Sequence, residues 1–378
     1  MDFTRRRLLT ATAGAAGAGL LAGCLDGAAD GADPGSESGG PVAQSTFFVF
    51  GDITAQVAGD AADAELLVPV GQHGHGWEPG PSVREDVHDA DLLVHGMTGF
   101  QPWVDGIIGD LEADGSDVAT VDVSSGVDLL APGAGHDEEH HDEAHDDHEE
   151  THDEADHEEH SESDAHDDEE THSEQTHDDH EGDDHDASHE EDHEGDDHDH
   201  GNADPHFWMD PLRVRDAVET VRAALVDVDS ENADAYDTNA DEFTARLADL
   251  HERIESTVAE ASTDTVLVAG HDSFQYFADR YDVEVAALTN VSPDDRPSTR
   301  DVERAQSIID EHDLRYVCAD PLESQEAAEQ LVAETDAEAV LPLTAMPGLT
   351  DEWEREDWGY VDVVENVNLP TLERALDV

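Results

Sequence analysis

The chain has 378 residues, with 98 acidic against 16 basic side chains and a formal net charge of −82. That length allows two ordinary domains plus extra segments. Acidity on this scale repels a phosphate backbone, so nucleic acid is excluded as a partner.

All 16 basic residues are arginine. A lysine-free, Asp-rich surface suits concentrated salt, where the Debye length shrinks to about 3 Å and self-repulsion is screened. The reading is a halophile.

The chain opens with Arg5, Arg6 and Arg7, a weakly apolar Ala/Gly/Leu run, and then Leu21-Ala22-Gly23-Cys24. This order fits a twin-arginine export signal over residues 1–24 that ends in a lipobox, with Cys24 lipidated after cleavage. An uncut N-terminal anchor is the plainer alternative. Residues 25–44, rich in Gly, Ser and Asp, read as a flexible tether. No later stretch approaches the ~18 apolar residues of a membrane span.

Residues 45–229 are expected to form a first lobe. β-like runs at 46–50, 65–70, 91–97 and 118–124 alternate with helix-compatible pieces near 53–59, 82–89 and 101–113. That alternation predicts a parallel sheet with helices on its faces. Residues 136–200 interrupt the lobe with 34 Asp or Glu and 17 His in 65 positions. So few apolar groups cannot offset ordering entropy, so a disordered loop is expected.

A helix is expected over 209–225, then a long one over 230–262 in which Ala233, Tyr236, Ala240, Phe243, Leu247, Leu250 and Ile254 recur at spacings of three and four. At 1.5 Å per residue it would run roughly 45 Å and could connect two lobes. Residues 263–378 repeat the strand–helix alternation, with strands at 265–270, 284–290, 315–320 and 338–343, helices at 273–281, 299–312 and 323–334, and a C-terminal helix over 360–378. The fold class is therefore α/β: two lobes, each with a four-stranded, mainly parallel sheet, joined by one long backbone helix, with a His/Asp/Glu-rich loop inserted. Cys318 lies in an apolar strand and reads as a buried small hydrophobe. With Cys24 lipidated it would have no disulfide partner.

Open α/β sheets bind ligands beyond the carboxyl ends of their strands. His73 and His75 follow the 65–70 run, His271 follows 265–270 directly, and His206 sits in DPHFWMDP just before the next helix. A lone histidine at a strand end is more often a cap or a core group. Three from distant segments, with water or a fourth group, would make a tetrahedral Zn(II) site.

These segments resemble a known family. VPVGQHGHGWEPGPS, DADLLVHGMTGFQPWVDGII, DPHFWMDP and HDSFQYFADRYDVEV resemble, in order, motifs of the zinc/manganese solute-binding lipoproteins of ABC importers (cluster A-I, ZnuA-like), here of haloarchaeal type. The resemblance implies a C-clamp of two α/β lobes on a rigid helix, with His75, His206 and His271 as metal ligands. It also implies an ABC permease with a cytoplasmic ATPase as partner, and a monomer held by lipid at the outer face of the membrane.

The departures bear on the metal. His73 is an extra imidazole that could serve as an alternate fourth ligand, or simply face solvent. Ala345 stands where manganese-type relatives carry an aspartate, and His271 where they carry a glutamate; imidazole suits Zn(II), while harder Mn(II) prefers oxygen. Asp320 and Glu323 could be oxygen donors, with surface acids as the plainer reading.

In the tract, His136, His140, His141, His145, His148, His152, His157 and His160 begin a dense series of donors without fixed geometry. Wrapping a metal costs such a chain ordering entropy, but its ligand density raises the local metal concentration. The tract is thus expected to collect zinc weakly beside a tight cleft; a solvated halophilic loop is the alternative. Three further functions stay open: a manganese-specific binding protein, a surface metal buffer or adhesin, and a zinc metalloenzyme. The last lacks an H-E-x-x-H motif, and Glu78 is the nearest acid to His75 in sequence.

Overall fold

The structure is a computed structural model that describes residues 40–74, 77–133, 203–292 and 296–378. The expected export signal with Cys24, most of the tether, the tract with its histidines, and His75 lie outside the described residues.

In the first lobe β1 (Val42–Ser45), β2 (Asp63–Leu66), β3 (Leu92–His95) and β4 (Ala119–Asp122) form a parallel sheet in the order β2-β1-β3-β4. In the second, β5 (Thr265–Val268), β6 (Glu284–Ala287), β7 (Tyr316–Ala319) and β8 (Ala339–Pro342) repeat that order as β6-β5-β7-β8, again all parallel. Each sheet therefore reverses its strand order once, between β1 and β3 and between β5 and β7. Crevices that take ligands open at such points, beyond the carboxyl ends of the strands.

Helices α1 (Phe48–Ala58), α2 (Pro81–His88), α3 (Pro102–Asp114) and α4 (Pro211–Val228) belong to the first lobe. The long helix is α5 (Ala233–Ala259), and its predicted stripe of Tyr236, Ala240, Phe243, Leu247, Leu250 and Ile254 is buried throughout. It packs on α1 and α4 of the first lobe and on α11 (Leu369–Ala375) at the chain's end. Burial of about 1.5–3 kcal/mol per large side chain makes that stripe the seam between the lobes. The second lobe adds α6 (Gln275–Tyr281), α7 (Thr299–Glu311), α8 (Glu326–Glu334), α9 (Asp351–Glu356) and α10 (Tyr360–Val363). One apolar core runs from Phe47 and Phe50 in the first lobe to Leu369 and Leu372 at the chain's end.

Four expectations shift. The run 46–50 is not a strand: β1 ends at Ser45 and the phenylalanines open α1, where Phe48, Val49 and Phe50 are buried. A short apolar run buried on all sides has no periodicity to separate strand from helix. Consequently the chain enters the fold at Val42, before the expected end of the tether at 44. The C-terminal helix is not uniform, because a π-turn over Val364–Asn368 separates α10 from α11. Finally, α8 begins at Glu326 rather than 323, which leaves Asp320–Gln325 as a turn. Cys318 is a free thiol, fully buried, and burial pushes its pKa up to about 12.

Candidate metal centre

His271 follows β5 and Glu323 follows β7, so they flank the point where the second sheet reverses. His206 reaches the same place from the short turn before α4. Its Nε2 lies 3.3 Å from Nε2 of His271. The other nitrogen of each ring faces a carboxylate: His206 Nδ1 donates to Asp204 Oδ1 at 2.7 Å, and His271 Nδ1 donates to Glu323 Oε1 at 3.1 Å.

These carboxylates favour the Nδ1–H form of each ring. A neutral ring whose Nδ1 donates to its carboxylate presents its lone pair at Nε2, and the two Nε2 atoms face each other. Two nitrogens bound at about 2.0–2.1 Å in a tetrahedron would stand about 3.3 Å apart, which matches the spacing found. Carboxylates that orient ligating imidazoles recur around zinc.

Burial strengthens the case. His206 and His271 are 1% and 6% exposed. Burial pushes the His206 imidazole below its ordinary pKa, against the pull of Asp204, so the ring is neutral and ready to coordinate. The other Asp204 oxygen, Oδ2, is buried with no hydrogen-bond partner among the described residues. Its charge favours a cation at His206. Burial alone would raise the Glu323 carboxyl, but hydrogen bonds and charge from His271 and His73 hold it down to about 2.

The ligand-bearing segments are braced against one another. Tyr276 donates its hydroxyl to the Asp204 carbonyl at 2.6 Å, and Tyr360 donates to the Trp208 carbonyl at 2.6 Å. Trp208 Nε1 donates to the Ala345 carbonyl at 2.8 Å. Asp210 caps α4 by accepting from Leu212 N, and it also takes Arg280 of α6. Phe47, Phe50, Phe100, Phe207 and Trp208 form an aromatic wall behind His206.

The predicted residues divide. His206 and His271 come together. Among the described residues, no three His, Cys, Asp or Glu side chains form a complete metal cage. His73 is half-buried, with Nε2 3.3 Å from Glu323 Oε1, so it is not a solvent-facing loop histidine. Asp320 is not a surface acid either: it is 7% exposed, and burial raises its pKa to about 6. Its carboxylate accepts from Leu322 N, Thr344 Oγ1 and Ala345 N, so it anchors the loop after β8. Replacing Asp320 by alanine strands those donors. The expected cost is about 3 kcal/mol, read from urea unfolding in molar salt. Glu78 is exposed.

Asp204 was not singled out from the sequence, although an acid two residues before a candidate ligand is a local signal for a side-chain bond back to the chain. Gln101, buried, donates Nε2 to the carbonyls of Thr46 and Gly74 and so holds the loop after β2. It was not singled out, although it lies inside the quoted segment DADLLVHGMTGFQPWVDGII.

Residues 44–375 match the family model described as zinc-uptake complex component A, periplasmic. The chain belongs to this family. Members of the zinc-uptake component A family are solute-binding parts of transporters and not enzymes, which removes the metalloenzyme reading.

Among curated relatives, the high-affinity zinc uptake system protein ZnuA of Bacillus subtilis is 26% identical over 332 residues, 88% of this chain and 86% of that protein. The zinc-binding lipoprotein AdcA of Streptococcus pneumoniae is 25% identical over 333 residues, and the chain spans about half of its length, 55%. The crystal structure of the Zn(II)-bound ZnuA-like domain of S. pneumoniae AdcA shares the fold, with a TM-score of 0.63 at 22% identity over 90% of this chain and 100% of that one.

Among the described residues, no helix is long and apolar enough to cross a membrane.

Proposed function

We propose that this member of the zinc-uptake component A family captures Zn(II) between its lobes through His206, His271 and His75 and delivers it to an ABC permease driven by a cytoplasmic ATPase. The observation that carries the reading is the pair of buried imidazoles whose Nε2 atoms face each other at 3.3 Å, the spacing of two ligands on a tetrahedral zinc. Two imidazoles, with Ala345 where manganese-type relatives hold an acid, favour zinc over manganese. The chain leaves the cell by the twin-arginine route, is anchored at the outer face by lipid on Cys24, and works as a monomer in concentrated salt. The tract over 136–200 gathers zinc weakly beside the cleft.

Asp204 and Glu323 act on affinity through the rings they orient. Asp204→Asn lowers zinc affinity by about 10–100-fold, since it removes an outer carboxylate from a ligating histidine. Its melting temperature without metal changes little, and competition with a fluorescent zinc chelator measures the affinity.

The function is tested by uptake into cells lacking the chain. Zinc uptake at limiting zinc falls and is restored by the wild type, by a chain without 136–200 once zinc is raised, and not by His206→Ala. Loss of manganese uptake in place of zinc would assign the chain to manganese. Failure of the tract-deleted chain at every zinc concentration would make it a surface metal buffer.

A further inference from the structure

Beside the buried histidine pair lies a second set of donors, one from each lobe. His73 belongs to the loop after β2 and Glu323 to the turn after β7, and His73 Nε2 stands 3.3 Å from Glu323 Oε1. The same oxygen stands 3.1 Å from Nδ1 of His271, whose Nε2 faces His206 at 3.3 Å. The four side chains form a continuous file. Its outer members are 24% and 22% exposed, His271 is 6% and His206 1%.

We propose that His73 and Glu323 form an outer way station for a divalent transition-metal ion, through which zinc enters and leaves the buried pair. The inference rests on the cleft reading above. An imidazole and a carboxylate are both donors for zinc. Two donors pass an ion on without trapping it, in keeping with the lack of a three-donor cage among the described residues. The station lowers the barrier for a physical reason. A hydrated dication that moved directly between two buried imidazoles would lose its water before gaining compensating charge. At the half-exposed pair it exchanges waters one at a time for His73 and Glu323, while the carboxylate offsets its charge. The His73–Glu323 contact opens to admit the ion and closes behind it.

A way station differs from a holding ligand and from a simple clip between the lobes. It speeds both directions equally, so removing it slows loading and release together and leaves equilibrium affinity alone. A ligand or a clip stabilises the loaded form, so removing it speeds release and weakens affinity.

The test uses the full chain. Loading after mixing with Zn(II) is followed by tryptophan fluorescence, since the Trp208 ring lies 5.3 Å from that of His206. The signal is assigned by its loss in His206→Ala. Release is timed into excess EDTA, and affinity is set with zinc buffers. In His73→Gln both rate constants fall by about tenfold, equivalent to roughly 1.4 kcal/mol of barrier, while Kd stays within about twofold. His73→Asp, which keeps a metal donor but repels Glu323, loads almost as fast as the wild type.

Faster release with weaker Kd in His73→Gln, unchanged rates, or a His73→Asp as slow as His73→Gln would each overturn the way station. A wild type with no tight zinc site would instead sink the cleft reading on which it rests.

Discussion

Replacing His206 by alanine lowers zinc affinity by at least about a hundredfold, because loss of an outer partner alone costs 10–100-fold and this substitution removes a proposed ligand itself. The side chain is 1% exposed and supplies one of the two facing Nε2 atoms. Its removal also leaves the Asp204 carboxylate buried with only the His206 backbone N–H as a bonded donor, so the metal-free protein loses about 1–3 kcal/mol. The two effects separate in a melting experiment. Zinc raises the melting temperature of the wild type in proportion to the logarithm of its excess over Kd, and that rise vanishes in the variant. A variant that still shows the full zinc-dependent rise would place the tight site elsewhere.

Gly348→Ala weakens zinc binding by about tenfold or more through the backbone, without touching a donor. The loop after β2 meets the loop after β8 through two hydrogen bonds of 2.7 Å, from Gly71 N to the Leu349 carbonyl and from Gly74 N to the Pro347 carbonyl. The approach is so close that a Cβ on Gly348 would collide with the Gln72 carbonyl oxygen, and a Cβ on Gly74 would stand 2.6 Å from the Phe47 ring. The second loop has little room to yield. Asn368 bonds both backbone groups of Thr344, Asp320 holds Ala345, and Met346 is fixed at φ +58°, a conformation that costs about 1–2 kcal/mol and persists only where its surroundings impose it. An added methyl therefore pushes the His73–His75 loop away from the second lobe. Overpacking of this kind costs about 1–3 kcal/mol, which falls on the form that brings the lobes together over the ion. Gly106→Ala is the control: a Cβ there meets nothing within 4 Å, it lies inside α3, and its affinity is unchanged. Equal affinity in Gly348→Ala would show that contact between these loops plays no part in holding zinc.

Much of the architecture was legible because it rests on patterns that secondary structure imposes. The stripe on α5 has helical periodicity and proved buried along its length. Seven of the eight strands overlap the apolar runs that predicted them, whereas β1 does not: its four residues, VAQS, are unremarkable, and the apolar signal beside them belongs to the buried start of α1. The histidines were legible in part. His206 and His271 stand at the ends of elements, where topology places ligands. Of their orienting carboxylates, Glu323 was named as a possible oxygen donor and Asp204 was not; Glu323 stands in a turn because α8 starts three residues later than expected. Asp320 was misread for a related reason: an acid after a strand looks like a surface group until the loop it anchors, 24 residues further on, is folded against it. Gln101 and Gly348 act through contacts distant in sequence, and composition cannot reveal those.

The central claim is that a single zinc is held by the cleft and not by the acidic, histidine-rich tract. Titration calorimetry with Zn(II) in molar salt, on a chain lacking residues 1–39 and 136–200 and so retaining β1–β8 and the DPHFWMDP segment, tests it most directly. The expected result is one tight zinc per chain, lost in His206→Ala. A chain of that kind which remains folded and takes up no zinc tightly would contradict it, and would make the tract the receptor.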